Sequence, residues 1–278
     1  MTASESPRPL VFAHRGASAD LPEHTLEAYL KAIADGADGL ECDVRLTRDG
    51  HLVCIHDRRL NRTTDGRGKV SAATLTELER LDFGSWHASQ GGRGSSRSQE
   101  RFAGRHATDP PATARVLTLE RLLKAAVDAG RPLRLLIETK HPTKFGHAVE
   151  TRLIDLLREF GLSEADPQSS VQVTVMSFSP LAVRRVHQLA PTLESVFLFD
   201  LTTPGLRDGR PPFGARVLGP GLAVLRARPE IVARAHGRGH RVYVWTVNTP
   251  ADVDFVHGLG VDGIISDRPD MVLAHLGG

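Results

Sequence analysis

The sequence predicts an α/β fold, a TIM-type (β/α)8 barrel. Short apolar runs alternate with amphipathic segments along the chain. Several runs, such as Leu133 to Ile137 and Val242 to Val247, are near-continuous in apolar residues, as strands of a sheet covered on both faces are. The alternation reaches the C-terminus without a dividing linker, and 278 residues is close to the roughly 250 such a barrel needs. Residues 1–278 therefore read as one barrel domain.

In order, strands are predicted over 10–13, 39–46, 51–55, 133–139, 171–177, 194–199, 215–219, 241–246 and 262–266. Helices are predicted over 24–35, 74–81, 118–129, 146–160, 180–190, 228–238, 250–257 and 268–275, where apolar residues recur at helical spacing. Nine strands compete for eight places. Asp49-Gly50 is a hairpin turn signal, so either one strand beside it is antiparallel or segment 215–219 is the extra one. Residues 84–115 break the pattern. They carry Arg93, Arg97, Arg101, Arg105 and Arg115 against only Glu100 and Asp109, and too little apolar surface to fold alone. A flexible insertion is expected there, either a solvated loop or an anion-attracting lid. Thr202 to Phe213, rich in Gly and Pro, reads as a loop.

Hydrophobic residues make up 40% of the chain and charged residues 24%, ordinary for a globular protein. A net charge of +2 gives no basis for a nucleic-acid partner. No apolar run approaches the roughly 20 residues of a membrane span, and Met1 to Pro9 lacks the apolar core of a signal peptide. A cytoplasmic protein is expected, without stable membrane insertion; the oligomeric state is left open. Cys42 and Cys54 read as small buried apolar residues rather than a disulfide.

The chemistry sits at strand ends. Val11-Phe12-Ala13 runs into His14-Arg15-Gly16, Gly39-Leu40 into Glu41-Cys42-Asp43, and Leu52 to Ile55 into His56-Asp57. Unpaired charge is costly to desolvate, so three such endings point to one site. Glu41 and Asp43, two apart on a strand, share a face, and a hard divalent cation, Mg²⁺ or Ca²⁺, relieves their repulsion. Glu138 ends another strand and is a candidate third metal carboxylate; Lys140, on the same face, is a candidate phosphate ligand, unless the two form a structural pair. His14 and His56 end separate strands and suit a general acid and base. Arg15 offers a fork for phosphate oxygens, and Gly16 lets backbone approach a ligand. Trp245, Asn248 and Asp267 extend the same carboxyl-end face, although Asp267 is equally placed to cap the last helix.

The set His14-Arg15-Gly16, Pro22-Glu23-x-Thr25, Glu41-x-Asp43, His56-Asp57, Glu138-x-Lys140, Ser177-Phe178, Trp245-Thr246-Val247-Asn248 and Ser266-Asp267-x-Pro269 resembles the glycerophosphodiester phosphodiesterase family. The motifs run in family order over nearly the whole chain. The resemblance implies metal-dependent hydrolysis of a small-molecule glycerophosphodiester to glycerol 3-phosphate and an alcohol. It implies one divalent cation on Glu41, Asp43 and Glu138, acid–base catalysis by His14 and His56, and substrate contacts from Arg15, Lys140 and Trp245. Two departures stand out. His24 occupies a position where the family usually has Asn, so it is expected to position neighbours rather than react; and the 84–115 insertion is longer and more basic than a compact member would carry. Two rivals remain: a lysophospholipase D or sphingomyelinase D-like enzyme, which would want an apolar channel, and a non-catalytic phosphodiester-binding barrel, which would have lost a histidine or a carboxylate.

Overall fold

The structure, a computed structural model, describes residues 8–89 and 115–277. Most of the expected insertion, 90–114, lies outside the described residues.

Among the described residues nine strands form one sheet: β1 (Leu10–His14), β2 (Gly39–Leu46), β3 (Leu52–Cys54), β4 (Leu133–Thr139), β5 (Val171–Ser177), β6 (Glu194–Phe199), β7 (Val217–Pro220), β8 (Arg241–Val244) and β9 (Gly263–Ser266). Their order is β1-β9-β8-β7-β6-β5-β4-β2-β3, and pairing of β1 with β2 closes the ring. The eight ring strands are parallel; β3 is the extra one, antiparallel to β2. β2 is long enough to serve both roles. Its Gly39–Glu41 stretch pairs with β1, and its Val44–Leu46 end carries β3. The hairpin signal at Asp49-Gly50 was therefore the right one to follow, and β7 belongs to the ring.

Period-two alternation sorts each ring strand into an outer face, covered by helices, and an inner face. Outer residues such as Leu40, Cys42, Leu135 and Ile137 pack with helix residues Leu122, Leu153 and Leu157. The interior is filled by Phe12, Leu136, Met176, Val196, Leu198, Val217, Tyr243 and Ile265. Two rings in so narrow a space need gaps opposite them. Phe12 is registered against Gly39, where a Cβ would sit 2.6 Å from its ring; at Gly263 a Cβ would sit 2.6 Å from Tyr243. Glycine is required there by volume.

The predicted helices appear as Leu26–Ala34, Leu75–Leu78, Leu119–Val127, Ala148–Glu159, Pro180–Leu189, Glu230–His236, Pro250–Gly258 and Pro269–Leu276. Caps fix several starts: the hydroxyls of Thr25, Thr118, Ser179 and Thr249 each accept from a first-turn backbone N–H. Short helices at Pro204–Arg207, inside the expected loop, and at Leu222–Ala227 lack a full amphipathic period and escape a sequence reading. Both cysteines are buried and free, as expected. No helix among the described residues is long and apolar enough to cross a membrane.

Candidate active site

The inner positions continue past the apolar layer to the carboxyl ends of the strands. There the period that buries Phe12 delivers His14, and the one that places Gly39 delivers Glu41 and Asp43. Register then brings strands together: His14 lies beside Glu41, and Asp43 beside Glu138.

Glu41, Asp43 and Glu138 are 2%, 1% and 6% exposed, and each offers an oxygen within 4.8 Å of the others. Lys140 Nζ bridges two of them, 2.8 Å from Glu138 and 3.2 Å from Asp43; Arg15 Nε pairs with Asp43 at 3.1 Å. Burial raises all three carboxyls, and neighbours decide the outcome. Asp43 is held well below its usual range by the His24 hydrogen bond and the Lys140 and Arg15 cations. Burial and the Asp43 charge push Glu41 well up and Glu138 to about 8. Two cations do not neutralise three buried carboxylates, and an all-oxygen donor set of this kind fits a hard divalent cation.

His24, 5% exposed, sits behind this cluster. Its Nε2 is 2.9 Å from Asp43 Oδ2 and its Nδ1 is 2.7 Å from the Tyr29 hydroxyl. His24 takes a left-handed φ of 60° just before the Thr25 helix cap.

Two histidines flank the cluster, each with one ring nitrogen fixed by an aspartate. His14 Nδ1 lies 2.6 Å from Asp267, and Asp267 also accepts from Asn248 (2.6 Å) and Ser18 (3.0 Å). Those bonds overcome burial and lower the Asp267 carboxyl to about 2. Asp267 thus orients His14 and does not cap the last helix, whose N-cap is Arg268. His56 Nδ1 lies 2.8 Å from Asp57. Burial, with the Arg15 and Lys140 charges, lowers the His56 imidazole to about 4, so it is neutral at pH 7.

Arg62 was not legible in the sequence. From the turn Leu60–Arg62 it grips Glu23 with two bonds (2.8 and 2.7 Å) and Asp57 with two more (2.9 and 3.2 Å), while Glu23 also accepts from Arg15 (3.2 Å). This ties the His56 loop to the Arg15 loop. Glu150 was likewise missed. Fully buried, it binds His141 (2.6 Å) and Arg185 (2.9 Å) and so anchors the segment just beyond Lys140. At Gly16 a Cβ would lie 2.7 Å from the backbone of Ala28, so the glycine lets the Arg15 loop pack on the first helix. Trp245 donates to Gly219 O (2.8 Å) and meets Phe178 edge-on at 5.4 Å; Phe178 in turn lies 5.9 Å from Lys140 Nζ.

The network has a testable acid signature. Burial raises the Glu23 carboxyl, but Arg62 and Arg15 outweigh it and hold the group at about 2 against an ordinary 4.5. A depressed carboxyl stabilises the fold fully above its unfolded pKa and loses that contribution as pH falls toward the folded value. Glu23→Gln is therefore expected to destabilise the protein at pH 7, with the gap to the parent closing as pH drops from about 5 toward 2. Urea unfolding of both proteins at pH 7 and pH 3.5 measures this; a gap independent of pH contradicts it.

Comparison with known proteins bears on this arrangement. A model of the "Glycerophosphoryl diester phosphodiesterase family" matches residues 14–271. The chain is 42% identical over 268 residues, 96% of its length and 92% of the relative's, to a "Probable glycerophosphodiester phosphodiesterase 1" of Mycobacterium tuberculosis. It is 33% identical over 272 residues, covering 95% and 96% of the two chains, to a glycerophosphodiester phosphodiesterase of Caldanaerobacter subterraneus subsp. tengcongensis. Among solved structures, a glycerophosphodiester phosphodiesterase of Agrobacterium tumefaciens superposes with a TM-score of 0.72 at 25% identity, covering 96% and 99% of the chains. A phosphodiesterase of Oleispira antarctica, solved with the product sn-glycerol-3-phosphate, shares the fold with a TM-score of 0.77 at 22% identity, covering 98% of each chain.

Proposed function

The chain belongs to the glycerophosphodiester phosphodiesterase family, and on that premise we propose a single-domain barrel enzyme that hydrolyses glycerophosphodiesters to glycerol 3-phosphate and an alcohol, with His14 and His56 as its acid–base pair and one divalent cation on Glu41, Asp43 and Glu138. The observation that carries the reading is the convergence of three buried carboxylates, two aspartate-held histidines and two cations at one end of the barrel. A binding barrel without catalysis would have no use for the second histidine–aspartate pair.

The cation, Mg²⁺ or Ca²⁺, supplies charge neutralisation at the phosphoryl oxygens when bound. The remaining steps belong to side chains of this protein. Arg15 and Lys140, already at the carboxylate cluster, hold the phosphodiester anion and offset its repulsion of a nucleophile. Neutral His56 accepts the proton of the attacking oxygen at the nitrogen that Asp57 leaves free. His14, oriented by Asp267, gives a proton to the departing alkoxide, which is otherwise a poor leaving group. Trp245 and Phe178 form the apolar wall beside the phosphate. The P–O bond to the alcohol breaks, and the oxygen of water ends on phosphorus.

His24 holds Asp43 in the orientation the cation needs. His24→Leu is expected to weaken cation affinity about 10- to 100-fold, the usual cost of losing such a supporting hydrogen bond. Calorimetric titration with Mn²⁺ or Ca²⁺ reads this directly; unchanged affinity removes His24 from that role. The overall reading is tested by incubating the purified full chain with glycerophosphocholine and glycerophosphoethanolamine in Mg²⁺ or Ca²⁺. Release of glycerol 3-phosphate is expected, and its absence with both substrates and both ions overturns the proposal.

A further inference from the structure

The opposite, amino-terminal mouth of the barrel carries a polar cavity of about 660 Å³ that the chemistry above does not use. Strand period explains what lines it. The inner positions that supply Leu136, Met176, Val196 and Tyr243 to the apolar layer fall, one step earlier on each strand, on Arg134, Thr174, Glu194 and Arg241. Gln172, a further step back on β5, is registered beside Arg134, and Thr174 beside Glu194. All five line the cavity, joined by Arg216 from just before β7. The apolar layer separates them from His14, Asp43 and Glu138, which end the same set of inner positions at the other mouth.

The amino-terminal face of a barrel ordinarily holds stabilising contacts. Two are present: Arg134 donates to Gln172 Oε1 at 2.7 Å, and Arg241 donates to Glu194. They leave most donors unspent, since a guanidinium has five N–H groups, and the Arg216 side chain has no partner among the described residues. Next above Arg241 on β8 stands Tyr243, 1% exposed. Its hydroxyl makes no hydrogen bond among the described residues, and the charges of Arg241, Glu194 and Arg134 all act on it. A buried hydroxyl among two guanidiniums, left without a partner, calls for one.

The charges are sorted by depth. Arg134 and Arg241 are half-buried on the strands with only Glu194 between them, whereas Glu164 and Asp166 stand exposed on the loop before β5. A bare oxyanion would be drawn by the floor and repelled by this rim. A molecule with a phosphate at one end and hydroxyls at the other suits both, because a guanidinium fork matches phosphate oxygens and a carboxylate accepts from a hydroxyl. The volume lies within the roughly 300–1,000 Å³ of clefts that enclose one small ligand.

We propose that this cavity binds a small phosphorylated polyol, its phosphate on Arg134, Arg216, Arg241 and the Tyr243 hydroxyl, and its own hydroxyls on Thr174, Glu164 and Asp166. No bond is made or broken there, and the site does not depend on the phosphodiesterase reading.

The test uses glucose 6-phosphate, a phosphomonoester, on the purified full chain. Phenylglyoxal labelling read by peptide mass spectrometry resolves single arginines. At ten times its Kd the ligand is expected to slow labelling of Arg134 and Arg241 about 10-fold and to leave exposed Arg80 unaffected. Calorimetric titration then follows the variants. Arg134→Gln is expected to raise Kd at least about 10-fold, the cost of one charge-assisted hydrogen bond. Tyr243→Phe is expected to raise it about 2- to 10-fold while the ligand-free Tm holds or rises, since the hydroxyl has no partner in the protein to lose. Both are expected to keep the parent's circular dichroism. Should Arg134→Gln fail to fold, the labelling and Tyr243→Phe still decide. Protection confined to Arg15 assigns the ligand to the phosphate clamp at the other mouth and overturns the proposal. A lowered ligand-free Tm in Tyr243→Phe with Kd unmoved gives the hydroxyl a structural role and likewise overturns it. Inorganic phosphate binding as tightly as glucose 6-phosphate overturns the polyol assignment.

Discussion

His14→Ala and His56→Ala are each expected to lower kcat on glycerophosphocholine by at least about 10²-fold, with KM changed far less. Neither imidazole is needed to bury apolar surface, and neither holds the barrel closed. Each has one ring nitrogen locked to an aspartate, Asp267 at 2.6 Å or Asp57 at 2.8 Å, and the other left free for proton transfer; that of His14 lies 4.0 Å from Glu41. Losing the ring removes proton transfer in the transition state and leaves the charged clamp of Arg15 and Lys140 to bind substrate. Losing only the lock is milder: Asp267→Asn and Asp57→Asn keep a ring in place but loosen its orientation, and each is expected to cost less than the corresponding histidine. Steady-state kinetics on the four variants separates these cases. Near-parental kcat in His14→Ala or His56→Ala removes that residue from the mechanism.

Removing the divalent cation is expected to be as severe. Protein treated with EDTA is expected to lose on the order of 10²-fold or more of its turnover, and added Mg²⁺ or Ca²⁺ to restore it. The reason is visible without the ion. Three carboxylates are nearly fully buried, and the mutual repulsion and burial that push Glu138 to about 8 show how poorly Lys140 and Arg15 alone compensate them. A cation that binds only the folded chain also stabilises it, by roughly 2.7 kcal/mol at a hundred times its Kd. Scanning calorimetry with and without Ca²⁺ therefore gives a readout independent of turnover, and Asp43→Asn should abolish the difference. Full activity in the chelated protein, with no change in Tm on adding either ion, contradicts the assignment of Glu41, Asp43 and Glu138.

The strand endings were legible because strand geometry has a period of two and no slack. Once Val11, Leu40 and Ile137 are placed on the helix-covered face, His14, Glu41, Asp43 and Glu138 fall on the other. The turn chemistry of Asp49-Gly50 similarly announced the antiparallel β3. The supporting residues obeyed no such local rule. Arg62 reaches Glu23 across 39 positions from a single short turn, and Tyr29 meets His24 from inside a helix whose sequence shows only an apolar face. Glu150, fully buried on the helix after β4, reads in sequence as an ordinary surface charge of an amphipathic helix until Arg185 arrives from the next one. At Gly16 the close approach to Ala28 of the first helix is a contact that the strand ending gave no sign of. Contacts made through space between separate elements set these positions, and one strand's pattern does not encode them.

The glycines inside the barrel limit how the protein can be made more robust. Exchanging glycine for alanine is a common route to thermostability, since it removes conformational freedom from the unfolded chain. At Gly39 the added methyl would lie 2.6 Å from both the Phe12 ring and the carbonyl oxygen of Arg134. Those atoms sit on β1 and β4, the two ring neighbours of β2, and two residues further along β2 comes Glu41, with Asp43 after it. Any gain in the unfolded state would thus be offset by spreading the very strands whose spacing brings His14, Asp43 and Glu138 together. An engineer seeking a hardier enzyme should look to exposed glycines with open surroundings and leave the girth of the barrel alone.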